Sequence, residues 1–155
     1  MKINLTVDPN NLREGYLNIC PFAEDDKVVS KDIANLDKVV DDGECSELVA
    51  MNVLETFPAK EVNEVINNWL KKLKHGGVLV LGFTEFMEVC KAFVNRELTI
   101  EDATLFLHGF QNHPWEHRRV NLTMGQVSEV LKNKGLKILK KRVEGFGAVV
   151  VGERP

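Results

Sequence analysis

The stretch from Val62 to Phe83, VNEVINNWLKKLKHGGVLVLGF, decides how the rest of the chain is read. Val62, Val65, Ile66, Trp69, Leu70 and Leu73 recur at spacings of three and four, which makes one apolar helix face. Glu61 and Glu64 near the start, and Lys71, Lys72 and Lys74 near the end, suit the helix dipole. Gly76-Gly77 reads as the helix stop. Residues 78–83 then form a continuous apolar strand, the pattern of a strand covered on both faces inside a parallel sheet. With the apolar run at 46–51 (SELVAM) before it, the unit is a βαβ crossover, which is right-handed almost without exception.

Working outward toward the N-terminus, residues 2–7 (KINLTV) and 16–20 (YLNIC) read as short strands, and 27–30 as a third. Asp8-Pro9 breaks the first strand. Only Asp8 to Gly15 separates the first two strands, too little for a crossover helix of about 10 or more residues. Helices are therefore reduced in the N-terminal half, and one sheet face is expected to be thinly covered. Toward the C-terminus, Phe86, Val89, Cys90 and Phe93 mark an amphipathic helix. Thr99 with Asp102 forms a capping box for a helix over 100–108, and Thr123 with Gln126 a second box. The helix after Thr123 carries Met124, Val127, Val130 and Leu131 on its apolar face and stops at Gly135. Residues 136–142 and 148–151 read as strands joined through Gly145-Phe146-Gly147. The expected architecture is one α/β domain over 1–155, with a mostly parallel sheet that ends in an antiparallel β-hairpin.

The composition fits this reading. The 155 residues are 44% hydrophobic and 28% charged, which excludes collagen, low-complexity chains and disulfide-stapled miniproteins. The net charge of −3 lacks the footprint of a basic nucleic-acid binder, so nucleic acid is not the expected partner. The charge is uneven: residues 1–70 hold 14 acids and 6 bases, residues 71–155 hold 9 acids and 14 bases. The expected pattern is acidic loops in the first half and solvated basic helix faces in the second. Three cysteines, Cys20, Cys45 and Cys90, without a CxxC pair, point to a reducing cytoplasmic setting. No apolar run reaches 18 residues and no leader pattern opens the chain, so neither a membrane span nor secretion is expected.

Four segments resemble the class I S-adenosylmethionine-dependent methyltransferases, and within them a small type 11-like group. Residues 74–79 (KHGGVL) are similar to the LKPGGxL step into that family's fifth strand. Residues 49–57 (VAMNVLETF) resemble its xxSHVLEHF segment after strand four. Residues 15–19 (GYLNI) resemble a GYxNVD second strand, and 110–117 (FQNHPWEH) a GQxHPxxxH loop. The resemblance runs over essentially the whole chain and implies a Rossmann-like sheet, S-adenosylmethionine as cofactor, and a small-molecule methyl acceptor. It implies a crevice built from Thr6, Val7, Asp8 and Pro9 after strand one, Asn18 and Cys20 on strand two, Asp32 and Ile33 after strand three, and Met51, Asn52 and Glu55 after strand four. The 110–117 loop would face the acceptor, with His113, His117 and Asn52 as the groups nearest the chemistry. The chain departs from the family at three points. The family's glycine-rich loop is here Leu5-Thr6-Val7-Asp8-Pro9, its ribose-binding acid is Cys20, and its two histidines after strand four are Asn52 and Thr56. These departures imply a second reading, a methyltransferase fold kept as a non-catalytic module that binds or assembles, as a homo-oligomer and most simply a dimer.

Each residue also has a plainer reading. Asp8 either meets an amino group or merely initiates the Asp-Pro-Asn-Asn turn. Asp32-Ile33 either holds and covers an adenine or is a loop acid beside a core residue. Glu55 faces the crevice or serves the helix that follows it. HPWEH either faces substrate or is a loop anchored by Trp115. Its H-x-x-x-H spacing would suit zinc on a helix, but Pro114 favours a loop and no third ligand has convincing spacing, so no metal is expected. Arg118-Arg119 either meet an anion or form a surface pair. Lys137, Lys140, Lys141 and Arg142 read as a charged edge strand that resists aggregation. Cys90 reads as a core residue on its helix face.

Overall fold

A computed structural model describes all residues, 1–155. It contains six strands: β1 (Lys2–Leu5), β2 (Leu17–Ile19), β3 (Cys45–Met51), β4 (Leu73–Thr84), β5 (Lys137–Glu144) and β6 (Gly147–Glu153). Four helices accompany them: α1 (Ala59–Lys72), α2 (Phe86–Val94), α3 (Ile100–His108) and α4 (Met124–Asn133). The strands form one sheet in the order β2-β1-β3-β4-β6-β5. The first four are parallel, and β6 runs antiparallel between β4 and β5. This is the mostly parallel Rossmann-like α/β sheet with a C-terminal hairpin expected from the sequence. No helix is long and apolar enough to cross a membrane.

The stretch 62–83 departs from its expected form at one point. The helix ends at Lys72, and the strand begins at Leu73, before the glycines. Leu73 is fully buried and pairs with Cys45, so the sheet captures the last residue of the periodic face. Gly76-Gly77 instead forms an irregularity inside β4, where the pairing with β3 shifts register between Cys45 and Glu47. Gly76 has φ 73°, and a Cβ on Gly77 would lie 2.8 Å from the Cys45 carbonyl oxygen. The pair lets two backbones approach rather than capping a helix.

The segment 27–30 is not a strand. It survives as one parallel bridge between Ile19 and Ser30. The chain from 20 to 44 has no helix and is pinned from α1: Trp69 Nε1 donates to the Ile33 carbonyl at 2.8 Å, and Asn68 Oδ1 accepts from Leu36 N at 3.0 Å. The buried Lys72 Nζ pairs with both Asp37 and Asp42 at 2.6 Å.

Alternation along the strands divides the sheet into unlike faces. On one, Ile3, Leu5, Leu48, Ala50, Leu79, Leu81, Phe83, Ala148 and Val150 join α1 and α4 in the core through Val65, Ile66, Trp69, Val127 and Leu131. On the other, the middle of the sheet presents Val78, Val80, Val149 and Val151, all partly exposed. The β1–β2 link, lacking a helix, folds over the β1 end of this second face. Asn4, buried there, donates to the Asn11 carbonyl at 3.0 Å and to Asn18 Oδ1 at 2.9 Å. α2 and α3 pack on each other beyond the end of β4, and the Thr99–Asp102 capping box is formed. Cys90, expected in the core, is only partly buried on α2. Thr123 caps α4 by accepting from Gln126 N. Edge strand β5 is exposed nearly throughout.

Candidate functional site

In open parallel sheets ligands sit beyond the carboxyl ends of the strands, where the strand order reverses. Here that point lies between β1 and β3, and two adjoining clefts open over it. The larger, about 570 Å³, is lined by residues that include Val7, Phe22, Lys31, Asp32, Ile33, Phe57, Trp115, His117 and Arg119. The smaller, about 190 Å³, is lined by residues that include Thr6, Asp8, Asn11, Met51, Asn52, Glu116 and Arg118. Val7, Thr56 and Trp115 line both and form the wall between them. The larger cleft is aromatic and apolar with cations at its margin, while the smaller is polar.

The expected site residues separate under this geometry. Thr6, Val7, Asp8, Met51 and Asn52 line the smaller cleft, and Val7 with Asp32, Ile33 and His117 the larger. Pro9, Asn18, Cys20, Glu55 and His113 line neither. Asn18 serves the scaffold instead. Its Oδ1 accepts from Asn4 and from Arg13 N, and its Nδ2 donates to the Arg13 carbonyl, which holds the β1–β2 link in place. Cys20 is fully buried.

Asp8 and Asp32 each make the local turn that the plainer reading describes. Asp8 Oδ1 accepts from Asn10 N at 2.8 Å, and Asp32 Oδ1 accepts from Ala34 N and Asn35 N at 3.0 Å. One oxygen of each carboxylate is thereby committed and the residue still borders a cleft. Asn52, exposed and at φ 58°, is held by its N–H to the Gly82 carbonyl at 2.8 Å. A positive φ in a residue other than glycine is uncommon, and asparagine tolerates it best.

The 110–117 loop closes over the clefts. α3 ends at Gly109, at φ 79°, where a Cβ would collide with the Glu116 carbonyl oxygen. Only glycine permits that closure. Glu116 Oε2 accepts from Asn112 N and His113 N, and the His113 ring stacks on Trp115 with centroids 4.5 Å apart. Trp115 also meets Phe22, at 6.0 Å. His113 thus braces the wall residue from outside, and His117 is the histidine that reaches a cleft.

Behind the clefts lies Glu55, 2% exposed. Its Oε2 accepts from Thr84 N at 3.2 Å, and its Oε1 has no partner. Burial pushes its carboxyl above the usual carboxylate range, against the pull of Arg118 and the hydrogen bond from Thr84. The Arg118 guanidinium Nε stands 3.8 Å from Oε2. Arg118 is no surface pair with Arg119, since its Nη1 donates to Thr84 Oγ1 and to the Phe106 carbonyl. The sequence left Phe22, Lys31 and Phe57 out of the site. Phe57 ends the VAMNVLETF segment, and nothing in the sequence places Phe22 or Lys31 at the cleft.

No protein-family model matches the chain, and no curated protein matches it. Solved structures do. An S-adenosylmethionine-dependent methyltransferase from Methanosarcina mazei superposes with TM-score 0.69 at 14% identity, over 98% of this chain and 91% of its own. The class I methyltransferase fold is present. Magnesium protoporphyrin IX methyltransferase from Synechocystis, solved with S-adenosylhomocysteine bound, gives TM-score 0.58 at 13% identity, over all of this chain and 74% of its own. An O-methyltransferase family protein from Burkholderia thailandensis gives TM-score 0.61 at 15% identity over 98% of this chain, and this chain spans half of its length.

Proposed function

We propose that the chain binds S-adenosylmethionine across the two clefts and serves as a methyltransferase for a small acceptor. The observation that carries this reading is the pair of unlike clefts at the strand-order reversal of a methyltransferase fold. One is large and aromatic enough for a nucleoside, the other small and polar enough for an amino-acid group. Ile33, Phe57 and Trp115 would cover the adenine, with Asp32 at its edge. Asp8 and Asn52 would meet the methionine end. The ligand supplies a sulfonium methyl group, and the chain's contribution is position and exclusion of water. Trp115, braced by His113 and Phe22, fixes the partition between the two ends. His117 borders the larger cleft, which supports giving it the task of taking a proton from an acceptor hydroxyl or amine. Titration calorimetry with S-adenosylmethionine and S-adenosylhomocysteine tests the reading. Binding of both is expected, and no heat at millimolar ligand would overturn it.

A second reading, a module that assembles with its own copy, is favoured by the valine strip of Val78, Val80, Val149 and Val151. Charges of both signs flank it, Lys2 with Glu47 on one side and Arg142 with Glu144 on the other, as a self-complementary surface requires. Light scattering that gives the monomer mass at high concentration would remove this reading.

A further inference from the structure

We propose that Arg118 is the carboxylate anchor of the smaller cleft, holding the α-carboxylate of the ligand's amino-acid end. The inference rests on the cleft assignment above and adds a residue that the loop after β1 makes necessary. In that loop Pro9 has no N–H, no glycine brings the backbone close, and Thr6 Oγ1 is engaged with Asp8 at 3.1 Å. The backbone of that loop therefore offers little to an anion, and side chains are left to hold the charged end of the ligand there.

Arg118 is built for this. Its guanidinium is oriented from one side by Thr84 Oγ1 and the Phe106 carbonyl, and Glu55 Oε2 stands 3.8 Å from Nε. Nη2, with its two N–H donors, has no partner in the chain, and the residue borders the cleft. A guanidinium fixed along one edge loses little freedom when its other edge receives a carboxylate. Glu55, its one ion-pair partner, is a weak counter-ion because burial favours its neutral acid form. The remaining charges on the cleft are Asp8 and Glu116. Each has one oxygen committed to backbone N–H groups, and neither pairs with Arg118. A cleft with a cation at one place and carboxylates at others suits a zwitterion, ammonium toward Asp8 and carboxylate on Arg118.

The test compares two ligands that differ only in the carboxylate, S-adenosylmethionine and its decarboxylated analogue, by calorimetry on the full chain and on Arg118→Gln. The wild type is expected to prefer the carboxylate-bearing ligand by about 10- to 100-fold, the span of charge-assisted hydrogen bonds. In Arg118→Gln that preference is expected to vanish, with the affinity of the decarboxylated ligand kept within about twofold. A preference that survives the substitution, or none in the wild type, overturns the role of Arg118 and leaves the cleft assignment standing. Failure of both ligands to bind the wild type overturns the cleft assignment, and this inference with it. Should Arg118→Gln fail to melt cooperatively, Arg118→Lys decides, since it keeps the charge and loses the fork. A preference narrowed by about threefold or more supports the anchor, and an unchanged one refutes it.

Discussion

The two faces of this sheet were built to different standards. One is covered by α1 and α4 over residues such as Leu79, Leu81 and Val150, all fully buried. The other, one residue out of step along the same strands, carries Val78, Val80, Val149 and Val151 under no helix, while the Asn4–Asn18–Asn11 clasp and the Tyr16–Glu47 hydrogen bond close its β1 end. In a right-handed parallel sheet the crossovers on either side of the reversal point cover opposite faces. The link from β3 to β4 has its helix, and the link from β1 to β2 has none. The bare face is therefore the direct consequence of the short segment between Asp8 and Gly15. A sheet can thus keep one complete layer and its reversal point, and hence its clefts, while losing the other layer.

Substitutions can break that contrast. Leu81→Ala, on the covered face, is expected to cost about 2–5 kcal/mol in urea unfolding. Val80→Ala, its neighbour on the bare face, is expected to cost about 1 kcal/mol, because little buried methyl surface is lost. Equal costs would show that something covers the bare face. Trp69→Phe tests how the covered layer holds the site. It leaves the Ile33 carbonyl without its donor, at about 1–3 kcal/mol, and loosens the wall of the larger cleft. Thermal melts and ligand affinity should fall together.

Glu55→Gln is the subtlest. The folded carboxyl titrates above its unfolded value, so between the two the folded chain keeps a proton that the unfolded chain has lost. Its contribution to stability is present at low pH and is lost as pH rises through the raised value. Glu55→Gln should flatten that decline, seen as a smaller fall in melting temperature from mildly acidic to neutral pH. A profile parallel to the wild type would contradict the shift.

Periodicity alone was enough for much of the fold. The βαβ unit at its centre, the capping box at Thr99, the helix stop at Gly135, the hairpin and the charged edge strand β5 all rest on local rules, and each formed, with only the helix–strand boundary of the βαβ unit displaced. The same locality misled at Gly76-Gly77, because a glycine pair serves a helix stop and a strand irregularity equally well. Only the capture of Leu73 by the β3 edge distinguishes them. It misled again at 27–30, where β-rich residues found one bridge and no strand to complete.

The site was less legible. Asp8 and Asn52 could be named because they follow strands, and strand ends are local, whereas Asp32 was named through the family resemblance, at a place where only the Ile19–Ser30 bridge formed. Asn18 was not separable from them by sequence, since alternation on a three-residue strand does not say which face a loop will fold over. Arg118 looked like half of a surface pair, and its burial against Thr84, Phe106 and Glu55 joins segments more than ten residues apart. By itself the sequence determined the order of the helices, the order of the strands apart from the one expected at 27–30, and the missing layer, because these follow from spacing and chain length. The tertiary structure decided which polar side chains are consumed by the scaffold and which keep a free donor toward the clefts, because hydrogen-bond partners distant in sequence are fixed only when the chain is packed.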